Sequence, residues 1–313
     1  MARLTNESYW RLLVPHVRAN GIDIEYESFG REGDPLILLI MGFAAQLIFW
    51  PEALCRGLAA KGFRVVRFDN RDIGKSTHLK DSPAPDPRAL MAEVMAGRRP
   101  DVPYTLDDMA DDVVGLMDAL GVERAHIAGA SMGGMIAQLV AINHAGRVKS
   151  LISIMSTTGR RDLPPGNRET LSALFRPPKS ESRDDLIDAS ILVQKALGSP
   201  GFPVSEAKMR AIAERRTDRA PFDLAGLARQ SAALIVAAPR GALLKQVRCP
   251  ALVLHGADDR VMPAAAAKDT AESIPGAELV IVPGRGHDSG EPVVPVYLKH
   301  IGEFVSKVEA RVV

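Results

Sequence analysis

The chain has little cysteine: two residues in 313, Cys55 and Cys249. They lie far apart, and neither belongs to a Cys-x-x-Cys pair. A disulfide-dense scaffold is excluded. A reduced, cytoplasmic setting is the simpler expectation, with a single disulfide left open. An excess of charge of one sign is lacking too. The 39 basic and 38 acidic residues leave a formal net charge of +1. Nothing electrostatic therefore calls for nucleic acid or an anionic membrane as a partner. The most apolar run, Leu36 to Ala45, is about half the length of a membrane-spanning helix. Arg3, Glu7, Arg11, His16 and Arg18 interrupt the first residues, so no secretory signal is expected. The seven histidines show no zinc-ligand spacing, and neither a metal nor another cofactor is expected. There is no internal repeat and no low-complexity tract beyond local proline clusters.

One further absence disposes of a decoy. Gly74-Lys75-Ser76 matches the end of a phosphate-binding loop, but Asp69 stands where that loop needs its first glycine. Without the glycine, the backbone amides could not close around a phosphate. Asp69 and Arg71 are instead expected to brace loops at the carboxyl edge of a sheet.

What the chain does contain is 46% hydrophobic residues in 313, enough for the core of one large α/β domain carrying an insertion. Residues 14–40 predict three strands. Val17 to Asn20 precedes a glycine turn. Ile24, Tyr26 and Ser28 alternate with charges as in a half-exposed antiparallel strand. Leu36 to Ile40 is apolar throughout, as in a parallel strand covered on both faces. Pro51 to Lys61 reads as a helix and Arg64 to Phe68 as a strand. A short helix is expected near Leu90 to Ala96. Thr105 caps a helix whose buried face is Leu106, Met109, Val113, Leu116, Met117 and Leu120, ended by Gly121. Ala125 to Ala128 and Val148 to Met155 read as strands.

From Ser156 the composition shifts to prolines between helical patterns: Asp184 to Leu197, Ser205 to Arg216 and Phe222 to Ala238. Sheet-type sequence resumes at Pro250 to His255 and Leu279 to Val282, and Val293 to Val308 closes the chain as a helix. The expected organisation is a core of residues 1–158 and 247–313 with a helical cap over 159–246. Leu186, Ile191, Leu192, Leu227, Leu234 and Ile235 within the cap could face a pocket or one another.

The centre of this plan is Gly129-Ala130-Ser131-Met132-Gly133. A short strand precedes it, and Met135, Ile136, Leu139, Val140 and Ile142 follow at helical spacing. A strand turning at once into a helix strains the serine, lifts its hydroxyl from the sheet, and aims the first helix amides at it. His287 lies in a glycine-rich loop after the last strand, where small neighbours would let an imidazole swing toward a partner. Asp258 and Asp259 compete to hold that imidazole. His255 and His126 fall within buried strands as core residues. The order serine, acid, histidine along the chain suits acyl transfer by an activated hydroxyl.

Gly129-Ala130-Ser131-Met132-Gly133, Gly256-Ala257-Asp258-Asp259-Arg260-Val261-Met262-Pro263 and Gly286-His287 together resemble the α/β-hydrolase superfamily over nearly the whole chain. The resemblance implies an α/β-hydrolase fold, a mostly parallel sheet flanked by helices. The family pattern Gly-x-x-Asp-x-x-x-Pro selects Asp259 as the acid and leaves Asp258 a turn residue. The resemblance also places an oxyanion hole at the amides of Phe43 and Met132, two residues that would then also contact substrate. Leu39-Ile40-Met41-Gly42 and Arg67 to Ser76 are similar to the aclacinomycin methylesterase-like branch. Most of the superfamily has His-Gly where Met41-Gly42 stands and glycine where Asp72 stands. The implied activity is a serine carboxylesterase acting on a small-to-medium apolar ester through Ser131, Asp259 and His287. Carbon–carbon bond hydrolysis, lactone opening and perhydrolysis use the same triad. A binding protein on the same scaffold is a further alternative. The expected partner is a small-molecule ester, with no nucleic acid and no membrane, and a homodimer is left open.

Overall fold

A computed structural model describes residues 16–311. The charges at Arg3, Glu7 and Arg11 lie outside the described residues, as do positions 14 and 15 of the first expected strand segment. The chain begins with a ribbon of β1 (Val17–Ala19) and β2 (Ile22–Ile24), joined through Asn20 and Gly21. Both turn residues have positive φ, 44° and 77°, the conformation that matches a two-residue hairpin to the strand twist. Strand β3 (Tyr26–Phe29) then starts the main sheet at its edge. The expected half-exposed strand is therefore two strands, and of its charged residues only Asp23 is exposed. Glu25 and Glu27 are buried. Glu27 pairs with Arg67, itself laid over the Phe29 ring, so the alternation marks a buried ion pair.

β4 (Leu36–Ile40), α1 (Glu52–Ala59), β5 (Arg64–Phe68), α2 (Pro87–Met95), α3 (Leu106–Ala119), β6 (Ala125–Ala130), α4 (Met132–Asn143) and β7 (Val148–Ile154) follow. The chain then leaves the sheet for α5 (Arg168–Leu174), α6 (Arg183–Leu197), α7 (Glu206–Arg219), α8 (Leu224–Val236) and the short α9 (Gly241–Leu244). It returns through β8 (Ala251–Gly256), α10 (Ala264–Ser273), β9 (Glu278–Val282) and α11 (Val294–Glu309). The seven strands lie in the order β3-β5-β4-β6-β7-β8-β9. Only β3 runs antiparallel to its neighbour.

The apolar run of β4 explains the layering. Side chains alternate across a strand. Leu36, Leu38 and Ile40 join the core under α3 and α4, while Ile37 and Leu39 join the one under α1 and α11. Each fully buried side chain of this kind contributes about 1.5–3 kcal/mol. Helix α3 carries the local signals that start and stop it. The Thr105 hydroxyl and the Asp108 carboxylate form a reciprocal capping box, and Gly121 turns the chain at φ 66°. All six residues expected on its apolar face are at least partly buried, Leu120 least deeply. The parallel topology collects the carboxyl ends of β4 to β9 at one edge, and α5 to α8 contribute walls to the cavity found there. Among the described residues, no helix is long and apolar enough to cross a membrane.

Candidate active site

Ser131 sits between β6 and α4 at φ 57° and ψ −120°, a conformation that costs a non-glycine residue on the order of 1–3 kcal/mol. The surrounding glycines are required by contact. A Cβ on Gly129 would lie 1.9 Å from the Gly133 carbonyl oxygen, and one on Gly133 would lie 2.2 Å from that of Ile40. Strain clusters at this edge. Ala44, Asp72, Ser131 and Met155 all have positive φ and all line one cavity of about 1370 Å³.

The structure brings the three expected side chains together. His287 Nε2 lies 3.0 Å from Ser131 Oγ, and His287 Nδ1 lies 2.7 Å from Asp259 Oδ2. The other oxygen of Asp259 accepts the Val261 and Met262 amides at 2.9 and 2.8 Å. Burial pushes the Asp259 pKa up, but the adjoining imidazole and these donors outweigh it and hold the carboxyl below its ordinary 3.8. Asp258 points elsewhere and accepts the Gly284 amide at 2.8 Å, the role of a turn residue.

Two expectations for the histidines need correction. The glycines beside His287 do not give its imidazole freedom to swing. They admit another chain segment: a Cβ on Gly286 would meet the Gly198 carbonyl at 2.6 Å. The His287 amide donates to the Leu197 carbonyl, the Gly286 amide to Ser199 Oγ, and the Ser199 amide to Asp288. The loop is thus laced to the segment after α6. His255 is buried as expected, but it is also part of the site. Its Nε2 reaches the Met262 carbonyl at 2.7 Å and lies 3.4 Å from Asp259. Burial lowers its pKa. His126, by contrast, is a core residue, bonded to Ser150.

Gly42 packs against the nucleophile, since a Cβ there would lie 3.0 Å from Ser131 Cβ. Phe43 follows it, its ring 5.3 Å from that of Phe175. Met132 is the first residue of α4, where a helix amide has no intrahelical acceptor. The loop holding Phe43 is fixed by partners that sequence reasoning missed. Asn70 Nδ2 donates to the Met41 carbonyl, the Ala44 amide donates to Gln230 Oε1 at 3.0 Å, and Arg216 donates to the Ala44 carbonyl at 3.1 Å. Asp69 behaves as the expected brace, accepting the Leu47 and Lys75 amides. Arg71 does so through Asp112. Of the apolar residues left open, Leu186 and Leu227 line the cavity. Ile191 packs between helices, and Leu192 is exposed.

Among the described residues, Asp72, His78 and Asp223 bring ligand-type atoms close enough to share a cation. The Arg229 guanidinium already serves there, with two bonds to Asp72 at 2.7 and 2.8 Å and Asp223 at 3.5 Å.

A mostly parallel sheet with a serine at its sharpest turn, facing a histidine and an aspartate, defines an α/β hydrolase. The family model described as alpha/beta hydrolase fold matches residues 35–291, and the chain belongs to that family. Its relatives include the rhodomycin D methylesterase DauP of Streptomyces sp. (strain C5), 26% identical over 83% of this chain and 87% of that protein. A putative carbamate hydrolase, RutD of Caulobacter sp. (strain K31), is 28% identical over 80% of this chain and 83% of that protein. Among solved structures, the enol-lactonase of Burkholderia xenovorans LB400 shares the fold. Its TM-score is 0.68 at 24% identity, over 93% of this chain and 100% of that one.

Proposed function

We propose that this chain is a serine carboxylesterase. Ser131 Oγ attacks the ester carbonyl while His287 takes its proton. Asp259 keeps the imidazole oriented and stabilises it when charged. The Phe43 and Met132 amides receive the oxyanion, each donor contributing on the order of 10²–10³ in rate. His287 then protonates the leaving alcohol, and water clears the acyl-enzyme by the reverse sequence. Residues 159–246 form the cap that walls the cavity over the core. The observation that carries the reading is the unbroken chain of contacts from Ser131 through His287 to Asp259, open to that cavity. Relatives named as a methylesterase and a carbamate hydrolase support hydrolysis, and the methylesterase supports an ester as substrate.

Ser131→Ala tests this directly. Turnover of short p-nitrophenyl esters is expected to fall by on the order of 10⁴–10⁶, with the thermal midpoint little changed. Undiminished turnover by the folded variant overturns the proposal. A fluorophosphonate probe that labels the wild type at Ser131 separates an enzyme from a binding protein on the same scaffold. Lactones, carbon–carbon bond substrates and peroxide belong in the same substrate panel, since the triad suits each.

A further inference from the structure

Helix α7 carries five basic residues, and four have an evident place. Arg219 pairs with Asp69 at 2.6 Å, Lys208 with Glu291 at 3.3 Å and Arg210 with Asp188 at 3.7 Å, while Arg215 is exposed to solvent. Arg216 is different. It is half-buried and, like Arg215, lines the cavity that holds Ser131. Among the described residues no carboxylate forms an ion pair with it, and desolvation lowers its pKa. The carboxylates that line the same cavity are engaged elsewhere: Glu52 by Arg56, Asp72 by Arg229, Asp223 by His78, Asp258 by the Gly284 amide, Asp259 by His287, Asp288 by the Ser199 amide and Glu291 by Lys208.

A guanidinium stays protonated in any such setting. A cation drawn partly out of water and left unpaired is costly, and such charges are ordinarily paired. Among the described residues, only one nitrogen of Arg216 has a protein partner, the Ala44 carbonyl at 3.1 Å, and the group also lies 6.0 Å from the Phe49 ring centre. These contacts fix the guanidinium beside the loop of the proposed oxyanion donor Phe43 and leave its other donors without an anion. Arginine is the side chain best shaped to take a carboxylate there.

We infer that Arg216 forms an anion subsite and that the preferred substrate is an ester bearing its own carboxylate, which the guanidinium binds while Ser131 meets the ester carbonyl. This rests on the esterase reading for the chemistry, but not for the binding. It also revises the expectation of a small-to-medium apolar ester: the hydrocarbon would lie against Leu186 and Leu227, and one end would be charged.

Binding can be read without turnover. In the Ser131→Ala protein, calorimetry should show monomethyl glutarate binding at least about 10-fold more tightly than dimethyl glutarate, the range of one charge-assisted contact. Adding Arg216→Met should cut that preference by about the same factor, and Arg216→Lys should restore part of it. In the enzyme with Ser131 intact, the ratio of kcat/KM for the monoester over the diester should fall in parallel. Equal loss for both esters would make Arg216 only a brace for Ala44 and overturn the inference. So would absence of a monoester preference in the Ser131→Ala protein, a measurement that stands even if the Arg216 variants fail to fold. Monoester binding that depends on Arg216, in a protein that cleaves no ester, would keep the subsite and remove the esterase reading instead.

Discussion

Asp258 and Asp259 are adjacent carboxylates with different fates, decided by the turn that follows β8. Asp259 is aimed at His287 and is fixed from behind by two amides, whereas Asp258 is spent on the Gly284 amide. Asp259→Asn should lower kcat by about 10⁴, because the amide no longer favours the required imidazole tautomer. Asp258→Asn keeps an oxygen for Gly284 and should stay within about tenfold of wild type on the same scale, since it touches no reacting group. Steady-state kinetics on one ester separates the two, and the reverse ranking would reassign the acid. At this scale much was legible. The glycines around Ser131 report local backbone needs, and local needs leave local marks, whereas the choice of Asp259 over Asp258 came from the superfamily resemblance alone. The contact between His255 and Asp259 was not legible. It exists only because the chain turns after β8 and brings residues four apart face to face.

The loop from Met41 to Gln46 is the element least visible in the sequence. It has no periodicity, and its anchors are remote: Gln230 meets Ala44 across 186 positions and Arg71 across 159. Gln230 is fully buried and uses both ends of its amide, accepting from Ala44 and donating to the Arg71 carbonyl. It thereby fixes the peptide next to Phe43, and under the proposed mechanism it would position that oxyanion donor. Gln230→Ala should lower kcat by roughly 10–10², a partial loss of one oxyanion donor, with a smaller change in KM. The rate of fluorophosphonate labelling at Ser131 should fall with it. A purely structural role would lower the thermal midpoint and leave the kcat of the folded enzyme unchanged. Strands were easier to read than this loop, since alternation between two faces is written into consecutive residues. Helices α5 and α10 went unmarked for the converse reason. One is seven residues long, and the other opens on four alanines that carry little apolar period.

Across the whole molecule, the helices between β7 and β8 are tied to the sheet edge by buried charge. The loop after β5 supplies Asp69 and Asp72, and the helices supply Arg219 and Arg229. The same helices hold the Ala44 loop, and the segment after α6 holds the His287 loop. They are thus a structural part of the site and not a loose flap over it. Asp72, where most of the superfamily has glycine, is explained by this arrangement. It is fully buried, stands at φ 62°, and receives Arg229 through two hydrogen bonds. Such a pair is expensive to break from one side, because the remaining charge has no water to return to. Arg229→Met should therefore destabilise the protein by about 3–5 kcal/mol, lowering the thermal midpoint by on the order of 5–10 °C. Adding Asp72→Gly removes the stranded carboxylate and supplies the residue best suited to positive φ. The double variant should thus be more stable than Arg229→Met alone, although it has lost one more native contact. Thermal unfolding of the three proteins decides the matter. A double variant less stable than the single would mean that Asp72 holds the loop through its bond to the Leu79 amide, 2.8 Å long, more than through Arg229.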